Sequence, residues 1–147
     1  MYTVIRPARY REEVRQEQPY GTDETGAAAA AIVGRQLDAY NARDLEALMA
    51  CWSDEATMLA WPDFLLEEGS AAIRARHAAR FEEPDLRARL ISRISLGELV
   101  IDREEVTRNL PQGVSDLNVI GIYEVREGLI RRAWFQQGVP RPRPRSA

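Results

Sequence analysis

The amino-acid sequence predicts an α+β domain in which three N-terminal helices pack on a mostly antiparallel sheet. Two periodicities and a set of turns carry that reading. Between Gly21 and Phe81 apolar side chains recur three and four residues apart, the spacing of a helix face. From Leu86 onward they alternate with polar ones, the spacing of a half-buried strand. Leu96-Gly97, Pro111-Gln112-Gly113 and Arg126-Glu127-Gly128 divide the second half into runs that hairpins can join, so a meander is expected. A chain of 147 residues supports one core, since units much below about 70 residues need staples.

Residues 1–21 mix Arg, Glu and Gln with scattered apolar residues and no sustained period, which predicts a loosely held arm. The folded domain is expected over 22–138. Gly21-Thr22-Asp23-Glu24-Thr25 offers caps for a first helix, whose stripe is Ala29, Ile32, Val33, Gln36, Leu37 and Tyr40. Asp44 caps a second, with Leu45, Leu48, Met49 and Trp52 at the offsets i, i+3, i+4 and i+7. A turn at Ser53-Asp54-Glu55 leads to a short strand, Thr57 to Trp61, that Pro62 stops. Gly69-Ser70 opens a third helix with the inner stripe Ile73, His77 and Phe81, while Arg74, Arg76 and Arg80 are read as its solvated face. Four strands follow, Leu86–Ile94, Leu99–Arg108, Leu117–Val125 and Leu129–Gln136. Residues 139–147, with alternating Pro and Arg from Pro140 to Arg145, predict an extended, solvated tail.

Composition excludes several function classes. All 20 basic residues are Arg, so a Schiff-base lysine and a phosphate-loop lysine are both absent. Cys51 and His77 are the only Cys and His, too few for an ordinary zinc site or an internal disulfide. Cys51 is read as inert, and neither a metal nor a cofactor is expected. Net charge −3 argues against nucleic acid, and no apolar run reaches the length of a membrane span or signal peptide, so a cytoplasmic protein is expected. The strand Leu117–Val125 is apolar on both faces. If helices cover one, Val119, Tyr123 and Val125 on the other need a partner, and a homodimer through the sheet supplies it.

The element order, with Asn41-Ala-Arg-Asp-Leu-Glu-Ala-Leu, Trp52-Ser-Asp-Glu-Ala-Thr, Gly69-Ser-Ala-Ala-Ile-Arg and Gly121-Ile-Tyr-Glu-Val-Arg-Glu-Gly-Leu-Ile, resembles the nuclear transport factor 2-like superfamily over about Ala27 to Gln137. That superfamily includes ketosteroid isomerases, limonene epoxide hydrolases and SnoaL-like polyketide cyclases. The resemblance implies a curved sheet forming a cone with an internal pocket. The isomerases' carboxylate base falls here on Ala60 or Trp61, with Asp63 the nearest acid, their oxyanion-side acid on Asn118 and their first-helix tyrosine on Gln36. Arg103 and Glu105 resemble the Arg-x-Asp pair of the epoxide hydrolases, whose third acid aligns with Phe135.

On these residues the candidate catalytic set is His77, Glu105 and Arg103. Gln36, Tyr40, Trp52, Trp61, Asn118, Ile120 and Phe135 are candidate contacts to a small apolar or amphipathic ligand. His77 is read either as a proton carrier or as a hydrogen-bonded core residue. Two functions stay open: acid–base chemistry of isomerase, cyclase or hydrolase type, and a non-catalytic ligand-binding or dimeric scaffold domain. Convergence of His77, Arg103, Glu105 and Asn118 on one cavity would favour the first.

Overall fold

The computed structural model describes residues 22–145, so the expected arm lies outside the described residues. Helix α1 spans Glu24–Ala42, capped by Asp23, whose carboxylate accepts the Gly26 N–H at 2.9 Å. It ends at Arg43, a left-handed residue with φ 54°. The Arg43 guanidinium donates to the carbonyls of Phe81, Glu83 and Pro84 at 2.7–3.2 Å, tying the helix end to a distant loop. Helix α2 is only Leu45–Met49, capped by Asp44.

Trp52 does not continue that helix. It opens strand β1, Trp52–Ala60, where it pairs with Ile130 and is buried. An i+7 offset fits a helix stripe and equally the first inward residue after it, so Ser53-Asp54-Glu55 lies in the strand and not in a turn. Strand β2, Phe64–Glu68, was not legible, because Phe-Leu-Leu-Glu-Glu has no alternation and follows Pro62. Helix α3 covers Ser70–Arg80. Strands β3, Arg87–Leu96, β4, Leu99–Leu110, β5, Gly113–Arg126, and β6, Leu129–Gln137, form the expected meander.

The sheet runs β2-β1-β6-β5-β4-β3. It is antiparallel except where the returning β6 lies parallel to β1. The curved sheet stays open, and the helices cover its inner face. The tail is not wholly solvated: Arg141–Pro142 form β7 against β5, and Arg143 donates to both oxygens of Asp116 at 2.7 and 2.9 Å.

The core has two parts. A larger one gathers Val33, Leu48, Trp52, Ile73, Val100 and Ile130 among its members, and a smaller one joins Ala88, Val106, Leu117 and Val119. Full burial of a Val, Leu or Ile contributes about 1.5–3 kcal/mol, so the larger cluster dominates stability. Tyr40 and Phe135 pack against both clusters, and a cavity opens where the two meet.

Candidate functional site

Which residues face that cavity follows from the phase of β4 and β5. Val100, Asp102, Glu104 and Val106 point inward, and their cross-strand partners Tyr123, Gly121, Val119 and Leu117 do the same. Gly121 belongs to this face because the Tyr123 ring lies over it: a Cβ there would stand 2.9–3.2 Å from ring carbons and the hydroxyl. The cavity encloses about 90 Å³. That is of the same order as the ~150 Å³ apolar cavity that takes benzene, so the enclosed part of a ligand is limited to about one ring.

Glu104 is the distinctive group. It is 8% exposed, lines the cavity, and has a pKa raised to about 7, first by desolvation and then by the negative charge of Asp102, against a smaller lowering by Arg93. Asp102 is fully buried and accepts from Arg93 at both oxygens, at 2.6 and 2.8 Å. Tyr123, edge-on to Phe135 at 5.8 Å, has its hydroxyl pKa pushed far up by burial and by Glu104 and Asp102, so it stays a hydrogen-bond donor. Burial likewise raises Tyr40.

His77 reaches the cavity from α3 with Tyr40, Trp52 and Phe81 around it at 6.1–6.3 Å. Its Nδ1 lies 2.9 Å from the Ile73 carbonyl, which can only accept, so Nδ1 carries the proton and Nε2 is left as an acceptor. Burial lowers its pKa against the opposing effect of the Ile73 hydrogen bond, Arg80 and Arg76 add to the lowering, and the neutral ring is favoured.

Of the residues expected in the site, His77, Gln36, Tyr40 and Phe135 line the cavity. Trp52 is core behind His77. Trp61 and Asp63 are exposed in the turn after β1. Arg103, Glu105, Asn118 and Ile120 sit on the outer face, because in an antiparallel pair Arg103 faces Ile120 and Glu105 faces Asn118. Glu105 there meets Arg89 at 3.4 Å and Arg141 at 3.1 Å. The four residues whose convergence would have favoured an enzyme do not converge. A different set does, and Glu104, Tyr123 and Arg80 belong to it. Arg76 and Arg80 also correct the expected solvated face: they stand three and seven residues after Ile73, on the inner stripe. Arg74 alone of the three pairs on the surface, with Glu46.

Among the described residues no cluster of His, Cys, Asp and Glu could hold a metal, and no helix is long and apolar enough to cross a membrane. The fold and cavity define an α+β cone domain whose sheet and helices enclose a small, mostly apolar space with one buried carboxyl. The chain belongs to the SnoaL-like domain family of the nuclear transport factor 2-like superfamily, whose model matches residues 33–133. No curated protein matches the chain. Similar solved structures include an uncharacterized cystatin-fold protein from Novosphingobium aromaticivorans, 24% identical with a TM-score of 0.69, covering 74% of this chain and 97% of that one. A candidate ketosteroid isomerase from Kribbella flavida is 16% identical, TM-score 0.67, with 82% and 85% covered. A candidate SnoaL-like polyketide cyclase from a Jannaschia species is 15% identical, TM-score 0.69, with 80% and 90% covered. At these identities the likeness is one of fold.

Proposed function

We propose that the cavity catalyses proton transfer on a small, largely apolar molecule, with Glu104 taking up and returning the proton. The observation that supports this most is a carboxyl on the cavity wall whose two protonation states are both populated near neutral pH, the condition a general acid–base group needs. Its carboxylate would remove a proton from carbon next to a carbonyl. The Tyr123 hydroxyl, kept protonated, would donate to the oxygen that gains charge. Return of the proton from Glu104 to another carbon gives an isomerisation with no net loss of atoms. Neutral His77 offers its Nε2 lone pair to a ligand hydroxyl and acts in positioning. The isomerase and cyclase names of two similar structures agree with this class of chemistry.

A panel of one-ring unsaturated ketones and β-keto esters tests it. Glu104→Gln should lower turnover by about a hundredfold to ten-thousandfold, and Glu105→Gln should stay within a few-fold. Equal turnover in parent and Glu104→Gln would dismiss Glu104 as the base. Saturable binding with no turnover in the parent would favour the non-catalytic ligand-binding alternative.

A homodimer through the sheet is the second part of the reading. Cross-strand register aligns Leu65, Leu59, Trp134, Ile122, Ile101 and Ile94 in one row on the outer face, across every strand from β2 to β3 and leaving out only β7. Ile94 is 66% exposed, and Ile120, Leu96 and Leu99 widen the patch. Such a continuous apolar surface favours a partner, and a second copy presents the same row about a two-fold axis. The face differs from the one expected, since Val119, Tyr123 and Val125 are buried against the helices. Light scattering at micromolar concentration should give a dimer that Ile101→Glu dissociates; a monomeric parent would refute it.

A further inference from the structure

Among the described residues, the wall where α3 meets the end of β4 holds more positive charge than its carboxylates answer. Arg76 and Arg80 from α3 and Arg108 from β4 all line it. Glu83 is committed chiefly to one of the three: it accepts from Arg108 at 2.8, 2.9 and 3.1 Å and from the Asn109 N–H at 2.8 Å. Arg80 reaches the same carboxylate only at 3.4 Å. Arg76 has Glu67, also at 3.4 Å. Among the described residues three guanidiniums thus share two carboxylates, and two of the three contacts are long for charge-assisted hydrogen bonds.

Glu104 does not supply the missing charge. The charges that act on its carboxyl are those of Asp102, two residues before it on β4, and of Arg93, which pairs with Asp102. Burial and the like charge of Arg108 disfavour the charged form of Arg80, with Tyr40 and Glu83 working the other way, so a partly desolvated cation faces a mostly apolar space. A guanidinium in that setting gains most from a planar anion that it can hold through two parallel N–H donors.

We infer that this wall binds the carboxylate of the ligand, so that the molecule taken into the cavity is a small apolar acid. Its carboxylate would sit on Arg80 and Arg76 and its body along Leu37, Val106, Leu117 and Phe135, which directs the carbon chain toward Glu104. This names the substrate class for the site proposed above, yet it concerns binding and holds whether or not turnover occurs. A neutral isostere of the acid would leave Arg80 with only Tyr40 and the 3.4 Å approach to Glu83 against its desolvation, and sites built around a polar group discriminate strongly against ligands lacking its partner.

Calorimetric titration of benzoate and phenylacetate against benzamide and phenylacetamide tests the inference, since each pair differs in charge and little in shape. The parent should bind each acid about 10- to 100-fold more tightly than its amide, the range expected for hydrogen bonds to a charged group. Arg80→Gln should reduce that preference to within a few-fold, and Glu105→Gln, on the outer face, should retain it. Equal affinities in the parent, no binding of the acids at millimolar concentration, or an intact preference in an Arg76→Gln/Arg80→Gln variant would each overturn it. The parent comparison needs no variant to fold. Acid preference without turnover would sink the proton-transfer reading alone, whereas turnover of neutral ketones without acid preference would sink this one alone.

Discussion

On β4 the carboxyl groups of Glu104 and Glu105 leave adjacent residues and enter different surroundings. Glu104 faces the cavity, beside the buried Asp102–Arg93 pair, and its pKa rises to about 7. Glu105 faces outward, where the exposed Arg89 and the tail residue Arg141 approach it. One residue type at one register step apart is therefore a candidate proton carrier on one face and an ordinary surface ion pair on the other. Composition cannot separate the two. The pleat of the strand does.

Asp102→Asn breaks that contrast most severely. It removes the partner of a guanidinium that is mostly shielded from water, a change that costs about 3–5 kcal/mol in buried pairs, and denaturant unfolding should register a loss of that size. It also removes the like charge next to Glu104 while leaving Arg93, so the Glu104 titration should move down.

Glu104→Gln sharpens it. The folded pKa of about 7 lies above the ordinary 4.5, so between those values the native state holds a proton that the unfolded chain has released. Stability from this group is therefore present below pH 4.5, falls as pH rises toward 7, and is flat above it. At about 1.4 kcal/mol per pH unit the full penalty is about 3 kcal/mol. The glutamine variant should gain on the parent as pH is raised from about 5 to about 8 in thermal unfolding, and a pH-independent difference would contradict the assignment. Glu105→Gln should have the smallest effect, about 0–1 kcal/mol and weaker in salt, because both of its pairs are exposed.

The helix caps at Asp23 and Asp44, the start of α3 and all four meander strands were legible, because capping oxygens and period-two alternation act locally. The site was less so. Both faces of β5 carry large apolar residues, and the inward set is interrupted at Gly121, where the Tyr123 ring replaces a side chain. That gap makes Asn118, Ile120 and Ile122 look like the inner face. Antiparallel pairing carries the choice across to β4, so an outward phase at Asn118 selects Glu105 and an inward phase at Val119 selects Glu104. The textual resemblance of Arg103 and Glu105 to an epoxide-hydrolase pair pointed the same wrong way. The clearest available sign was the set Leu117, Val119, Tyr123 and Val125, the apolar phase that spans most of the strand.

The most direct test is the titration of the Glu104 carboxyl itself, followed by carboxyl ¹³C chemical shift in protein labelled at glutamate and assigned by the resonance that Glu104→Gln removes. A midpoint near 7, falling in Asp102→Asn, is the expected result. A midpoint at or below the ordinary 4.5 would mean that the cavity does not hold this group between its two protonation states, and the acid–base account would fall with it.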